Sequence, residues 1–184
     1  MIRVYLAGPD VFRPDPEAYG ARLKAIAAAH GLAAIFPLDA LPTGDDPAWA
    51  TLPLALRIAR RNEAHIAGCD AVLANLTPFR GPSADAGTIW EIGYARGLGK
   101  RIYAWRNGAA MFAARTRAFT GADERDDEGM LIENFPGMAD NLMIDGAIAA
   151  SGGALFTADV TPDERWRSLA AFTRACAAIS EEGK

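Results

Sequence analysis

The sequence predicts one α/β domain over residues 1–184, a five-stranded parallel sheet with helices on both faces. Three observations carry that expectation. Short apolar runs alternate with longer stretches of helical periodicity, the pattern of strand–helix–strand units. The run 71–76 has almost no polar alternation, as a strand covered on both faces should. The length, 184 residues, suits one domain with a sizeable core.

The elements follow in order. Residues 2–6 read as the first strand. A helix over 16–30 is closed by Gly31, and 33–36 form the second strand. A second helix over 52–68 sets Leu54, Ile58 and Ile66 against a charged patch from Arg57 to Glu63. The third strand is 71–76, followed by a helix over 85–98 that Gly99 ends. Residues 101–105 make the fourth strand and 153–157 a short fifth. A closing helix over 162–179 spaces Trp166, Leu169, Phe172 and Ala175 at helical intervals. Two stretches break the alternation. Residues 37–53, with their prolines, Gly44 and an Asp45-Asp46 pair, read as a loop. Residues 106–152 read as a long mixed segment, with a short helix near 109–117 and an acidic turn at 123–128. Loops of that length are usually functional or mobile.

Composition narrows the function. Nineteen basic and 23 acidic residues give a net charge of −4, so there is no basic field for nucleic acid. Cys69 and Cys176, even with His30 and His65, have no metal-ligand spacing and make no disulfide framework. The first six residues are too short, and too soon broken by Gly8-Pro9, to read as a signal peptide. No apolar run approaches about 20 residues, so no membrane association is expected. A soluble cytoplasmic protein is the expectation.

The chemistry concentrates in Ser83-Ala84-Asp85-Ala86-Gly87-Thr88-Ile89-Trp90-Glu91-Ile92-Gly93-Tyr94-Ala95. A glutamate inside an apolar helix is costly unless paired or hydrogen-bonded. Asp85 precedes it by six residues, about 120° away around a helix, so the two carboxylates converge only if Asp85 sits at the N-cap. Small neighbours (Gly87, Thr88, Ala95) leave room above Glu91. In parallel sheets, ligands bind beyond the carboxyl ends of the strands. There lie the loop from Ala7 to Phe12 and the loop from Thr77 to Asp85. The first lacks a dinucleotide fingerprint, and no phosphate-loop Gly-Lys-Ser/Thr follows it. Asp85 reads equally as a plain cap, and Tyr5 as core with a satisfied hydroxyl. Asp70 has a turn reading beside its site reading. Phe12 either stacks on a ligand or packs under its loop, and Arg80 and Ser83 hold a phosphate or brace the loop.

Four segments in this order and spacing resemble the nucleoside 2-deoxyribosyltransferases. They are Tyr5-Leu6-Ala7-Gly8-Pro9-Asp10-Val11-Phe12, Cys69-Asp70-Ala71-Val72-Leu73-Ala74-Asn75-Leu76, the Asp85–Ala95 stretch, and Asn141-Leu142-Met143. The resemblance implies a flavodoxin-like sheet and an enzyme that moves 2-deoxyribose between nucleobases without metal or cofactor, its partners a deoxynucleoside and a free base. It makes Glu91 the nucleophile that forms a covalent deoxyribosyl-enzyme, as in a retaining glycosidase. Asp85 handles the base's proton, Tyr5 hydrogen-bonds the nucleophile, and Asp70, Gly8 and Phe12 hold substrate. Asn141 and Met143 come from a neighbouring subunit, which implies a homo-oligomer built from dimers with shared active sites. The chemistry needs Asp85 protonated and Glu91 ionised, hence two acids in divergent environments. Two alternatives stand beside transfer: an N-glycosidase acting on deoxynucleoside 5′-monophosphates, and a non-catalytic nucleotide sensor. Asp10 disfavours a 5′-phosphate near the first loop unless Arg80 compensates.

Overall fold

The computed structural model describes residues 1–182. Strand β1 (Ile2–Ala7) leads through a 3₁₀ turn at Pro9–Phe12 into α1 (Pro16–Ala29), and β2 (Leu32–Ile35) follows. Next come α2 (Leu54–Gly68), β3 (Ala71–Asn75), α3 (Ala86–Gly97) and β4 (Arg101–Asn107). The chain ends with α4 (Phe112–Thr120), α5 (Leu142–Ala150), β5 (Leu155–Ala158) and α6 (Ala170–Glu182). All strand pairs are parallel, in the order β2-β1-β3-β4-β5. That is the flavodoxin-like order, whose strand sequence reverses between β1 and β3 and opens a crevice beyond their carboxyl ends.

Strand alternation sorts the core into two layers. Val4 and Leu6 of β1 face Tyr19, Leu23 and Ala27 of α1 and Phe172, Ala175 and Ile179 of α6. Tyr5 and Ala7 face Ile66 of α2, Ile92 and Ala95 of α3 and Ile144 and Ile148 of α5. Both faces of the strand are thus dry, which is why the strands read as apolar runs rather than alternating ones. Each large aliphatic or aromatic side chain so buried contributes about 1.5–3 kcal/mol. Pro16 at the first helical position and Gly31 in the left-handed region (φ 76°) bracket α1, as its sequence implies.

The structure departs from the sequence expectation at three places. The long segment after β4 holds two helices, α4 three residues later than expected and α5 not expected at all. The last helix begins at Ala170, eight residues later than expected; residues 162–164 form only a 3₁₀ turn. The physical cause lies on β4. Asn107 Nδ2 donates to the carbonyls of Arg165 (2.8 Å) and Ser168 (2.9 Å), taking acceptors that a continuous helix would have used. No helix among the described residues is long and apolar enough to cross a membrane.

Candidate active site

At the β1/β3 crevice the structure joins a tyrosine and a glutamate. Tyr5, fully buried on β1, donates its hydroxyl to Glu91 Oε1 of α3 at 2.7 Å. Asn62 of α2 reaches the same oxygen with its amide nitrogen at 3.5 Å, the outer limit of a hydrogen bond. Burial pushes the Glu91 carboxyl up to about 7; the Tyr5 hydrogen bond pulls against that rise and the charge of Asp85 adds to it. The Tyr5 hydrogen bond thus favours the charged form of Glu91, the form a nucleophile needs, but burial is the larger effect. Tyr5 itself is raised by burial and by Glu91's charge, so it remains a donor.

Asp85 stands at the N-cap of α3 with extended backbone (φ −60°, ψ 134°), the placement that lets it and Glu91 converge. Its Oδ2 accepts from the Thr88 backbone N–H (3.1 Å) and the Thr88 hydroxyl (3.2 Å), so the cap is real. Oδ1 makes no hydrogen bond among the described residues and is left for a ligand. A Cβ at Gly87 would stand 3.0 Å from Asp85 Oδ2, so any side chain there would crowd the carboxylate. The loop leading to Asp85 is held from behind: Ser83 and the Ala84 N–H (3.0 Å) bind Asp140, so Ser83 braces the loop.

The segment 37–53 is fastened to α2 beside this pair. His65, buried and stacked 6.3 Å from the Tyr5 ring, shares a 3.0 Å hydrogen bond between its Nε2 and the Asp39 carbonyl. One turn away, Arg61 clasps Asp45 with two bonds of 2.8 and 2.7 Å, a bidentate pair.

Other expected site residues lie elsewhere. Asp70 precedes β3 at the amino end of the sheet, exposed, accepting from the Arg3 N–H at 2.7 Å. It is the residue that turns α2 into β3, and the crevice is at the opposite end of that strand. Asn62 brings the polar group to Glu91 instead. Phe12 is 58% exposed and stacks on Phe79 (5.6 Å, 11°), lining a hollow that includes neither Tyr5 nor Glu91. Gly8 lets the first loop lie against β3, since a Cβ there would meet Asn75 Cβ at 2.9 Å. Asn141 caps α5, accepting from the Met143 N–H (3.0 Å) and donating to Glu133 (2.6 Å), while Met143 is 72% exposed. Asp10 is buried, one oxygen bonded to Asn75 (2.9 Å), and burial pushes it up to about 6. Its argument against a 5′-phosphate therefore weakens as the pH falls toward 6.

Asn62 and His65 were missing from the sequence reading as site residues. One signal was there for Asn62: it sits four residues before Ile66, so the helical face that buries Ile66 also points Asn62 at the sheet. No three His, Cys, Asp or Glu among the described residues are grouped to hold a metal ion.

Comparison with known proteins gives the family and the fold. The family model for nucleoside 2-deoxyribosyltransferase matches residues 4–143. A 2-deoxyribosyltransferase from Leishmania mexicana is 30% identical, covering 82% of this chain and 96% of its own, with a TM-score of 0.59. A conserved protein of Enterococcus faecalis V583 shares the fold at 20% identity and a TM-score of 0.58, covering 97% and 99%. An uncharacterized protein of Schizosaccharomyces pombe is 29% identical over 82% of this chain and 78% of its own length.

Proposed function

Because the chain belongs to the nucleoside 2-deoxyribosyltransferase family, we propose that it moves 2-deoxyribose from one nucleobase to another by double displacement at Glu91. In the first step a Glu91 carboxylate oxygen bonds to the anomeric carbon. The N-glycosidic bond breaks with its electron pair going to the base, and Asp85 gives that base a proton. In the second step an acceptor base yields a proton to Asp85 and attacks the same carbon, and the Glu91 ester bond breaks. Two inversions restore the original anomer. Tyr5 holds the attacking carboxylate, and Asn62 offers its amide beside it. Asn141 and Met143 stand at the start of α5 as the contribution of one subunit to its neighbour's site, in a homo-oligomer built from dimers. The exposure of Met143 and Leu142 supports that role, since an apolar pair left in water gains by being covered.

The observation that carries this reading is the 2.7 Å Tyr5–Glu91 bond around a carboxyl raised to about 7. A purely structural glutamate would be better replaced by an apolar side chain. Incubation with deoxyinosine and free adenine, resolved by chromatography, tests it. Deoxyadenosine and hypoxanthine are the expected products. Free deoxyribose with hypoxanthine and no deoxyadenosine would make the protein a hydrolase; no turnover of deoxyinosine, thymidine or deoxynucleotides would remove the enzymatic reading.

A further inference from the structure

Two helices that carry different parts of the proposed site begin beside one buried carboxylate. Asp85 is the N-cap of α3 and Asn141 the N-cap of α5, and Asp140, 1% exposed, lies against both starts. Its Oδ1 accepts from the Ser83 hydroxyl and from the Asn141 N–H at 2.9 Å. Its Oδ2 accepts from the Ala84 N–H at 3.0 Å and from Arg115 at 3.2 Å. Ser83 and Ala84 are the two residues before Asp85, so the carboxylate grips the approach to each cap. A negative charge at the amino ends of two helices is also favoured by both dipoles.

The clasp is doubled and stiff. Arg115 spans the same two segments, its Nε donating to the Pro82 carbonyl (2.6 Å) and its Nη2 to the Ala139 carbonyl (2.8 Å). Asp145 accepts from the N–H groups of Ala139 (3.2 Å) and Asp140 (2.8 Å), which fixes the backbone around the carboxylate. Behind it, Ile92 and Ala95 of α3 share a core layer with Ile144 and Ile148 of α5. A shift of either helix start is passed to the other rather than absorbed, because packed and fully hydrogen-bonded units move together.

We propose that Asp140 is a positioning residue that couples two active sites: it sets Asp85 in its own subunit's site and, through the α5 cap, Asn141 and Met143 in the neighbour's. The inference rests on the shared-site reading given above. Asparagine cannot replace Asp140 in this role. Only one of its two terminal atoms accepts, so whichever way the amide turns, its NH₂ faces the N–H of Asn141 or that of Ala84.

Hybrid dimers, co-expressed with two tags and purified through both, test it. Glu91→Ala in one chain leaves a single live site, with Glu91 and Asp85 from the other chain and Asn141 from the Glu91→Ala chain. Asp140→Asn is then placed on either chain. Exchange from deoxyinosine to adenine is compared with exchange from a deoxynucleoside whose leaving group needs no proton. On the chain that supplies Asp85, Asp140→Asn should slow deoxyinosine at least about tenfold and the second substrate much less. On the Glu91→Ala chain it should slow both by the same factor, at least about tenfold, because only the hold on the sugar is disturbed. Ser83→Ala, a milder cut on the loop side alone, should give the first effect at smaller size and none on the Glu91→Ala chain. Exchange that survives Asp140→Asn on the Glu91→Ala chain overturns the coupling. Equal losses on both substrates whichever chain carries the change would mark general destabilisation and overturn it too, as would Ser83→Ala without effect on the Asp85 chain. An inactive unsubstituted hybrid beside an active wild type would refute the shared site and the coupling with it, whereas an inactive wild type would remove the transfer reading itself.

Discussion

Two buried polar clusters flank the β3–α3 loop, and they are finished to different degrees. Around Arg106, polar groups are saturated: its guanidinium donates to Thr157 and to the carbonyls of Ala109, Ala110 and Ala139. Asp140 accepts from Ser83, the Ala84 and Asn141 N–H groups and Arg115, and Asp145 accepts from the Ala139 and Asp140 N–H groups. Around Glu91 the account is incomplete. Among the described residues only Oε1 has partners and Asn62 Oδ1 is buried with none, and the carboxyl is raised to about 7. A saturated network fixes backbone and has nothing left to offer a ligand; an unsaturated one retains binding capacity at the expense of stability. The first cluster is scaffold that positions Asp85's loop, and the second is where the proposed chemistry would take place.

The sharpest way to break this contrast is to cut both clusters. Glu91→Ala should lower base exchange by at least about 10⁴-fold while the protein still unfolds cooperatively near the wild-type midpoint. Arg106→Met should do the reverse in kind: it leaves the carbonyls of Ala109, Ala110 and Ala139 and the Thr157 hydroxyl without their donor, and should lower unfolding stability by about 3–5 kcal/mol in denaturant titration. If Glu91→Ala unfolds the protein or Arg106→Met leaves stability intact, the division into scaffold and site fails.

Asp85→Asn sharpens the comparison next, because asparagine is as good an N-cap and isolates the proton. Exchange of ordinary deoxynucleosides should slow about 10²–10⁴-fold, with a much smaller loss for a substrate whose leaving group needs no proton. Equal losses would reduce Asp85 to a cap.

A smaller effect concerns stability against pH. Burial pushes the folded Glu91 carboxyl up to about 7, above the 4.5 of a free glutamate. The native state therefore holds a proton that the unfolded state has released between those values, and stability falls as pH rises through that window. Glu91→Gln removes the penalty, so at pH 8 the variant should be more stable than wild type, by up to about 3 kcal/mol. The advantage should vanish below pH 4.5, where both side chains are neutral. A variant less stable than wild type at pH 8 would mean that the Tyr5 bond, not burial, dominates.

Much of this was legible before any coordinates. The parallel sheet followed from apolar runs that both layers now cover; Asp85 and Glu91 stood out from the local spacing of one helix, while Tyr5 was singled out only through the family resemblance. What was not legible depended on tertiary partners. Helix α5 is nine residues, apolar nearly all round and interrupted by Gly146, so it carries no helical stripe; packing of Ile144 and Ile148 under the sheet makes it. The late start of α6 depends on Asn107, more than fifty residues away in sequence. Asp70 shares a segment with the family pattern yet lies at the wrong end of its strand, while Asn62 arrives from a helix whose rotation the sequence only partly fixes.

The central claim is that Glu91 is the nucleophile that forms a covalent intermediate, and one measurement addresses it directly. A deoxynucleoside fluorinated at the sugar's 2-position, which slows breakdown of such an ester, is mixed with wild type and the protein is weighed intact and after digestion. The account predicts a mass gain of one fluorodeoxyribosyl group, located on Glu91, forming faster as pH rises through about 7 as the carboxyl ionises. An adduct on another residue, or released base with no adduct at any pH under conditions where turnover is slow, would contradict it.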